Sequence, residues 1–440
     1  MKKDTRNSFC TVPSVHPPPD VTRMQGYASR LSASPDDNIA FRMTTIAHTY
    51  DVAFRRVGKT AEEIGELKGM HGRMQPCPER AWENGCDWES DFFWIVPEET
   101  RSWIYTAEFT DGNGVRFHVP FVVKPYFHRK GDVAVLASTN TWNAYNGWGG
   151  KSAYSEPLPV TLSLDRPMPS ATPEGQGRSH LLRAEMWILD WMEACGYAVD
   201  VYSDLDLHRG WDWLADYRVL VINTHSEYWS GPMRDHLDAW LDAGGCLLYL
   251  SGNGVYWKVT WDSTCRVMEV RKDGKPHFQN GEEGGLWRNL GRPEHGALGV
   301  GYVRPGYMTF APYKVDAASH WVFEGLGLET GDLIGEKGIY GGAASGWEVD
   351  QVREDWSPKN VTVLARGINP LDFMGPGETA VYPDEEYEWD GSGGAHMTYY
   401  DHPGGGGVFS VGSIAFGGSL VVDPILQRTV RNVLDRFLRR

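Results

Sequence analysis

The chain has 440 residues, of which 42 are Lys or Arg and 58 are Asp or Glu, for a formal net charge of -16. At about 100–200 residues per domain this length holds two or three domains, and 41% apolar residues supply a sizeable core. The acidic balance excludes duplex nucleic acid and anionic membrane surfaces as expected partners, because both need clustered Lys and Arg.

No run of about 18 apolar residues exists, so no bilayer-spanning helix is expected. The first twenty residues, MKKDTRNSFCTVPSVHPPPD, hold two lysines but no apolar stretch and do not read as a secretory signal. The six cysteines match neither a zinc ribbon nor a disulfide scaffold. Cys195, Cys246 and Cys265 lie in apolar contexts and read as small core residues. A reducing cytoplasm is the expected location. Nineteen tryptophans and 51 glycines are the unusual counts. They fit an aromatic-walled pocket on a loop-rich chain, a carbohydrate-binding surface, or simply a large aromatic core.

Residues 1–24 read as an N-terminal arm. From 25 to 128 the pattern is one of short alternating runs, such as 39–43, 92–96 and 103–109. The turn Asp111-Gly112-Asn113-Gly114 leads into 115–119 as a hairpin. This stretch is expected to form a small antiparallel β-sandwich domain. After Pro125 the pattern changes. The run 132–137 is continuously apolar, as in a buried parallel strand, and a long Gly/Pro/Ser-rich loop extends to about 178. Residues 180–195 have helical spacing, 198–202 and 218–223 read as strands, and Ser230-Gly231-Pro232 opens a helix that Gly244-Gly245 ends. Residues 246–250 are a fourth strand. The segment 255–360 looks like a large irregular insertion. The core resumes at 361–364 and 408–411, and a last helix starts at Asp423-Pro424. Residues 129–440 are therefore expected to form an α/β catalytic domain, a parallel sheet with helices on both faces.

Ligands of such sheets sit beyond the carboxyl ends of the strands, which points to three loops: 138–150, 224–229 and 251–254. His225 and Glu227 leave a buried strand as an H-x-E and can supply a polarising imidazole and a metal ligand. A His and a Glu satisfied by backbone groups is the plain alternative. Asn253 stands between glycines, where its amide can meet a developing oxyanion or simply occupy a left-handed turn. Tyr145 lies in a Trp/Tyr-rich loop whose simplest role is packing, and nothing diagnostic surrounds Glu348. No G-x-S-x-G elbow, phosphate-cradling loop or G-x-G-x-x-G after the first strand is present.

Several stretches together resemble the large subunit of the N,N-dimethylformamidase family: Val119-Pro120-Phe121-Val122-Val123, the segment 140–150 (NTWNAYNGWGG), the segment 224–229 (THSEYW), 251–254 (SGNG), 346–350 (GWEVD) and 412–414 (GSI). The resemblance covers roughly residues 25–440. It implies a three-layer α/β domain like that of class I glutamine amidotransferases without their cysteine. It also implies a mononuclear Fe(III) held by two tyrosines and one glutamate. Tyr145 and Glu227 match two of those ligands, and Tyr105 is the expected third. His225, Asn253 and Glu348 match the remaining site residues, with Glu348 as general base and His225 and Asn253 orienting substrate. Phenolate and carboxylate are hard donors that suit such an ion. Trp142, Trp148, Tyr228, Trp229 and Trp257 would wall the pocket.

The family's large subunit is longer, with a lectin-like β domain that has no counterpart here, and it pairs with a small helical subunit that this sequence does not imply. The expected protein is an iron-dependent amidohydrolase that cleaves the C–N bond of a small N-substituted amide with activated water, in a homo-oligomer. A non-catalytic carbohydrate-binding protein, and a zinc or metal-free hydrolase that uses His225 and Glu227 directly, are the competing readings.

Overall fold

The computed structural model describes residues 19–126, 130–155, 160–174, 180–370 and 393–439. Most of the expected arm, residues 1–18, lies outside them.

Alternating burial organises the first part of the chain. In Thr49–Arg56 every second residue is buried, which leaves one face for a core. Two sheets share that core. One runs Gln25–Ala28, Asn38–Thr44, Phe92–Ile95; the other runs Ser32–Ala33, Arg116–Val123, Trp103–Asp111, Thr49–Arg56, Glu63–His71. Pairing is antiparallel except between Ser32–Ala33 and Arg116–Val123. Phe41 packs edge-on to Phe54 at 5.5 Å and to Phe121 at 6.1 Å across the gap. The Asp111–Gly114 turn is built as its composition suggests: Asp111 Oδ1 accepts the N–H groups of Asn113 and Val115.

The continuous apolar runs are strands buried on both faces. Val133–Ala137, Val219–Thr224 and Cys246–Ser251 have no exposed residue. They belong to a nine-stranded sheet in the order Val199–Ser203, Val133–Ala137, Val219–Thr224, Cys246–Ser251, Gly407–Ser410, His396–Asp401, Thr362–Gly367, Tyr313–Val315, Leu333–Ile334. The first five strands are parallel; the last four are antiparallel. The sheet is therefore mixed, not wholly parallel. The reason is local: only five residues join His396–Asp401 to Gly407–Ser410, enough for a hairpin and far too few for a crossover.

Alternate side chains of these strands feed two cores. Val133, Val135 and Ala137 pack with the helices Leu182–Ala194 and Pro424–Arg439. Ala134 and Leu136 pack with Met233, Leu237, Trp240 and Leu241 of the helix Gly231–Asp242. That helix starts where Ser230 and Pro232 suggest, with the Ser230 hydroxyl accepting from Met233 N–H.

Two expectations change. The loop after Val133–Ala137 contains a short helix, Thr139–Ala144, and a strand, Val160–Ser163. The segment 255–360 is also more ordered than its composition suggests. Its hairpin Trp257–Trp261 and Val267–Val270 joins Val160–Ser163, Tyr228–Ser230 and Gly285–Leu286 in a second, five-stranded sheet. Among the described residues no helix is long and apolar enough to cross a membrane.

Arg166 ties the 143–151 loop to this second sheet. The residue is 1% exposed, and its guanidinium donates to Ser163 O (2.9 Å), Asn143 Oδ1 (3.1 Å), Lys151 O (3.3 Å) and Trp148 O. Arg166→Leu keeps the apolar stem and leaves those acceptors buried without donors. A loss of about 3 kcal/mol is expected, read as a lower urea midpoint; an unmoved midpoint would show that the acceptors find other donors.

Candidate active site

Strand register brings the three polar loops together. Thr224 is paired with Ser251 at the ends of adjacent parallel strands, so the residues after them emerge side by side. His225 Nδ1 lies 3.0 Å from Gly252 O. A carbonyl only accepts, so Nδ1 carries the hydrogen and Nε2 faces the site. The helix Thr139–Ala144 is fastened to the same place, because Thr141 Oγ1 accepts Glu227 N–H at 3.1 Å and Asn140 Nδ2 donates to Tyr228 O at 3.0 Å. From the other direction, Ser413 N donates to Ser251 O (2.8 Å) and Ile414 N to Glu348 O (3.3 Å), which sets Glu348 against the loop.

The result is one cluster. Tyr145 Oη is 2.7 Å from Tyr154 Oη, and Tyr154 Oη is 3.1 and 3.0 Å from the two Glu227 oxygens. His225 Nε2 lies 3.1 Å from Glu227 Oε2, 3.3 Å from Tyr145 Oη and 3.8 Å from Glu348 Oε2. Asn253 Nδ2 donates to Glu348 Oε2 at 2.8 Å. The ring of His180 stands edge-on to Tyr145 (4.8 Å) and His225 (5.0 Å), with Trp347 at 6.1 Å.

Five of the six expected residues, Tyr145, His225, Glu227, Asn253 and Glu348, are thus in one place. Tyr105 is not among them. It points into the N-terminal core, where its hydroxyl donates to Arg101 O at 2.9 Å and its ring stacks on Phe121. Tyr154 instead lies against Tyr145 and Glu227. The chain turns back at Gly149 (φ 83°) and Gly150 (φ 132°), and a Cβ at Gly150 would lie 2.6 Å from the Trp82 ring. Ala153 N then pairs with Ala144 O at 2.8 Å, and Tyr154 comes to lie beside Tyr145. A second phenol just past a Gly-Gly reversal was the available sequence signal.

Lys272 is the other residue that the sequence did not single out. It is 4% exposed, with its ammonium 3.7 Å from the Tyr154 ring centre, 4.9 Å from Trp257 and 5.3 Å from Tyr228. A cleft of about 190 Å³ has Trp257 and Lys272 in its wall. Of the five aromatics expected to wall a pocket, only Tyr228 and Trp257 reach this neighbourhood. Trp148 packs edge-on to Trp88. Trp229 is fully buried with its N–H on Ser226. Trp142 donates to Glu185 beneath the site. A larger cleft of about 560 Å³, bordered by Ser34, Lys124 and Trp213, contains none of the cluster residues.

Charge is distributed unevenly. Burial, with Glu227 and Glu348 nearby, pushes both phenols well above their usual range. Burial raises Glu348 to about 7 against the pull of His225. His225 goes up to about 9, since Glu348 and Glu227 outweigh the burial that opposes its charge. Glu227 is lowered in spite of burial, mainly by the hydrogen bond from His225. Backbone strain collects here too. Four of the nine non-glycine residues with positive φ among the described residues, Thr224, Asn253, Val255 and Trp347, flank the site. For β-branched Thr and Val that conformation is a genuine outlier.

Among the described residues no three His, Cys, Asp or Glu side chains converge as metal ligands; the oxygen cluster is completed by phenols. Oxygens about 3 Å apart match neighbouring ligands around an ion with metal–oxygen distances of about 2 Å, so Tyr145, Tyr154 and Glu227 fit a hard cation.

These features define a class: mixed-sheet α/β proteins with a buried phenol–carboxylate–imidazole centre at the carboxyl ends of parallel strands. The family model for the N,N-dimethylformamidase beta subunit-like, C-terminal region matches residues 48–430, and the chain belongs to that family. It is 28% identical to the N,N-dimethylformamidase beta subunit of Paracoccus aminophilus and 27% identical to that of an Alcaligenes species, in each case over 80% of this chain and 55% of the relative. The chain therefore spans about half the length of these curated relatives.

Glu185, 1% exposed beneath the site, accepts from Trp142 Nε1 at 2.8 Å and Ser138 N at 3.3 Å. Burial raises its pKa to about 8, against about 4.3 unfolded. A raised acid binds its proton more tightly when folded, so stability falls as pH rises between those values. Wild type is expected to lose on the order of a few kcal/mol between pH 5 and pH 8, while Glu185→Gln, which keeps the acceptor, flattens that slope. Parallel curves of urea midpoint against pH would refute the assignment.

Proposed function

We propose that this protein is a metal-dependent amidohydrolase that splits the C–N bond of a small N-substituted amide of the formamide type. The observation that carries the reading is the meeting of three hard oxygens, from Tyr145, Tyr154 and Glu227, beside a carboxylate poised near neutrality. Membership of the N,N-dimethylformamidase beta subunit-like family supports it. Tyr145, Tyr154 and Glu227 would hold a single ferric ion, whose chemistry when bound is to polarise a carbonyl and acidify water.

The remaining residues do the proton work. Glu348 at about pKa 7 can take a proton from the attacking water and return it to the leaving nitrogen. Water adds across the amide bond, and the products are a carboxylic acid and an amine. His225, protonated and anchored on Gly252 O, holds Glu227 in place and offers a positive edge to developing negative charge. Lys272 adds a second buried cation behind Tyr154. His180 and Trp347 supply an aromatic side against which an N-alkyl group can lie. The same reading treats the mixed-sheet domain as one of the class I glutamine amidotransferase type, supported by five parallel strands with helices on both faces. The relatives are named as beta subunits, so assembly with another subunit or with further copies of this chain is part of the proposal.

The test is elemental analysis of purified protein with an absorption spectrum and an assay on formamide, N-methylformamide and N,N-dimethylformamide. About one iron per chain, a visible tyrosinate band and hydrolysis are expected. Tyr145→Phe and Tyr154→Phe should each weaken and shift the band and lose at least about 10-fold in iron affinity; Tyr105→Phe should keep both. Colourless, iron-free protein that hydrolyses none of the three would sink the reading. Zinc at the site, or activity without metal, would favour direct catalysis by His225 and Glu227.

A further inference from the structure

The loop that carries Asn253 is held in an uncommon shape by two buried groups. Asn253 and Val255 have positive φ, 49° and 52°. Asp350, fully buried on the strand Val349–Gln351, accepts Asn253 N–H through Oδ1 at 2.8 Å and the Tyr249 hydroxyl through Oδ2 at 2.7 Å. The Tyr249 oxygen in turn accepts Gly254 N–H at 2.7 Å. Two successive backbone N–H groups of the loop thus end on one carboxylate–phenol pair inside the core, where polar groups of this kind are retained only if paired.

The neighbouring glycines let the loop press against its holders. A Cβ at Gly254 would lie 2.6 Å from the Tyr249 ring, and one at Gly252 would lie 2.7 Å from Glu348 O. Asp350 and Glu348 also share one segment, tied to the same turn by Asp350 N to Gly412 O (2.8 Å) and Ile414 N to Glu348 O (3.3 Å). The segment that positions Asn253 therefore also presents the carboxylate that Asn253 Nδ2 meets. The other end of that amide, Oδ1, is buried and has no hydrogen-bond partner among the described residues.

We propose that Tyr249 and Asp350 are positioning residues: a buried phenol–carboxylate clamp that keeps Asn253 left-handed, so that its NH2 meets Glu348 and its carbonyl oxygen is presented to the water that attacks the amide. A water held between Glu348 and Asn253 Oδ1 donates one hydrogen to each and turns a lone pair outward. The clamp deepens the reading of the site as an amidohydrolase and rests on it for the choice of substrate.

The experiment compares wild type with Tyr249→Phe, Asp350→Asn and Asp350→Ala, using whichever of the three formamides wild type hydrolyses best. Tyr249→Phe removes the hydroxyl's bonds to Asp350 and to Gly254 N–H. Asp350→Asn keeps an acceptor for Asn253 N–H, and the phenol can reverse its own bond. Loss of positioning is expected to lower kcat about 100-fold in Tyr249→Phe and Asp350→Ala, with KM within about threefold and iron content unchanged; Asp350→Asn should stay within about 10-fold of wild type. Wild-type kcat in Tyr249→Phe, or iron and kcat falling together, would overturn the clamp. Should Asp350→Ala not fold, the other two variants decide. Should wild type hydrolyse none of the formamides, the function reading fails, and the crystal structure of Tyr249→Phe decides the clamp separately. Asn253 leaving positive φ and its contact with Glu348 supports it; an unchanged loop refutes it.

Discussion

The cluster is organised around a concentration of acidic oxygens that water cannot fully screen. Tyr154 Oη lies within 3.1 Å of Tyr145 Oη and both Glu227 oxygens, and two like unit charges at 3 Å repel by about 5 kcal/mol even at an effective dielectric of 20. Such a group persists only with positive charge close by or with protons retained. His225 and Lys272 supply part of the compensation, one in contact with the Glu227 carboxylate and one over a phenol face. The metal proposed for the site would answer the same imbalance, since phenolate and carboxylate oxygens are hard donors.

Holding that arrangement falls to the scaffold. The pairing of Thr224 with Ser251 places His225 beside Gly252. Thr141 and Asn140 fasten the phenol-bearing helix to the loop of Glu227 and Tyr228, and Arg166 ties down the carbonyls of the turn that follows. Positive φ at Thr224, Asn253, Val255 and Trp347 costs of order 1–3 kcal/mol each. The surrounding hydrogen bonds and the full burial of the central strands offset that cost.

All cluster residues, from Tyr145 to Glu348, fall within the 48–430 region shared with the N,N-dimethylformamidase beta subunit-like family. They come from six separate segments, near 145–154, 180, 225–227, 253, 272 and 347–348. No one segment carries the site, so it exists only once the nine-stranded sheet and the second sheet have both formed. That is a reason for four of the nine strained non-glycine residues among the described residues to lie where the segments meet.

What the sequence determined by itself was the local order and the rule that follows from it. Short apolar runs such as 133–137 and 246–250 read as strands buried on both faces, and loops after parallel strands converge. His225, Glu227, Asn253 and Tyr145 were therefore legible as neighbours, while Glu348 came from the family resemblance. The sequence reading named Tyr105, and tertiary structure alone put Tyr154 instead beside Tyr145 and Glu227. Strand residues look alike locally, and only the reversal at Gly149-Gly150 and the pairing of Ala153 with Ala144 show which phenol meets Tyr145. It also placed Lys272, a charged residue in a stretch that reads as irregular, and assigned Trp142, Trp148 and Trp229 to packing. Side-chain periodicity records whether a residue is buried, but which distant segment buries it depends on the path of the whole chain.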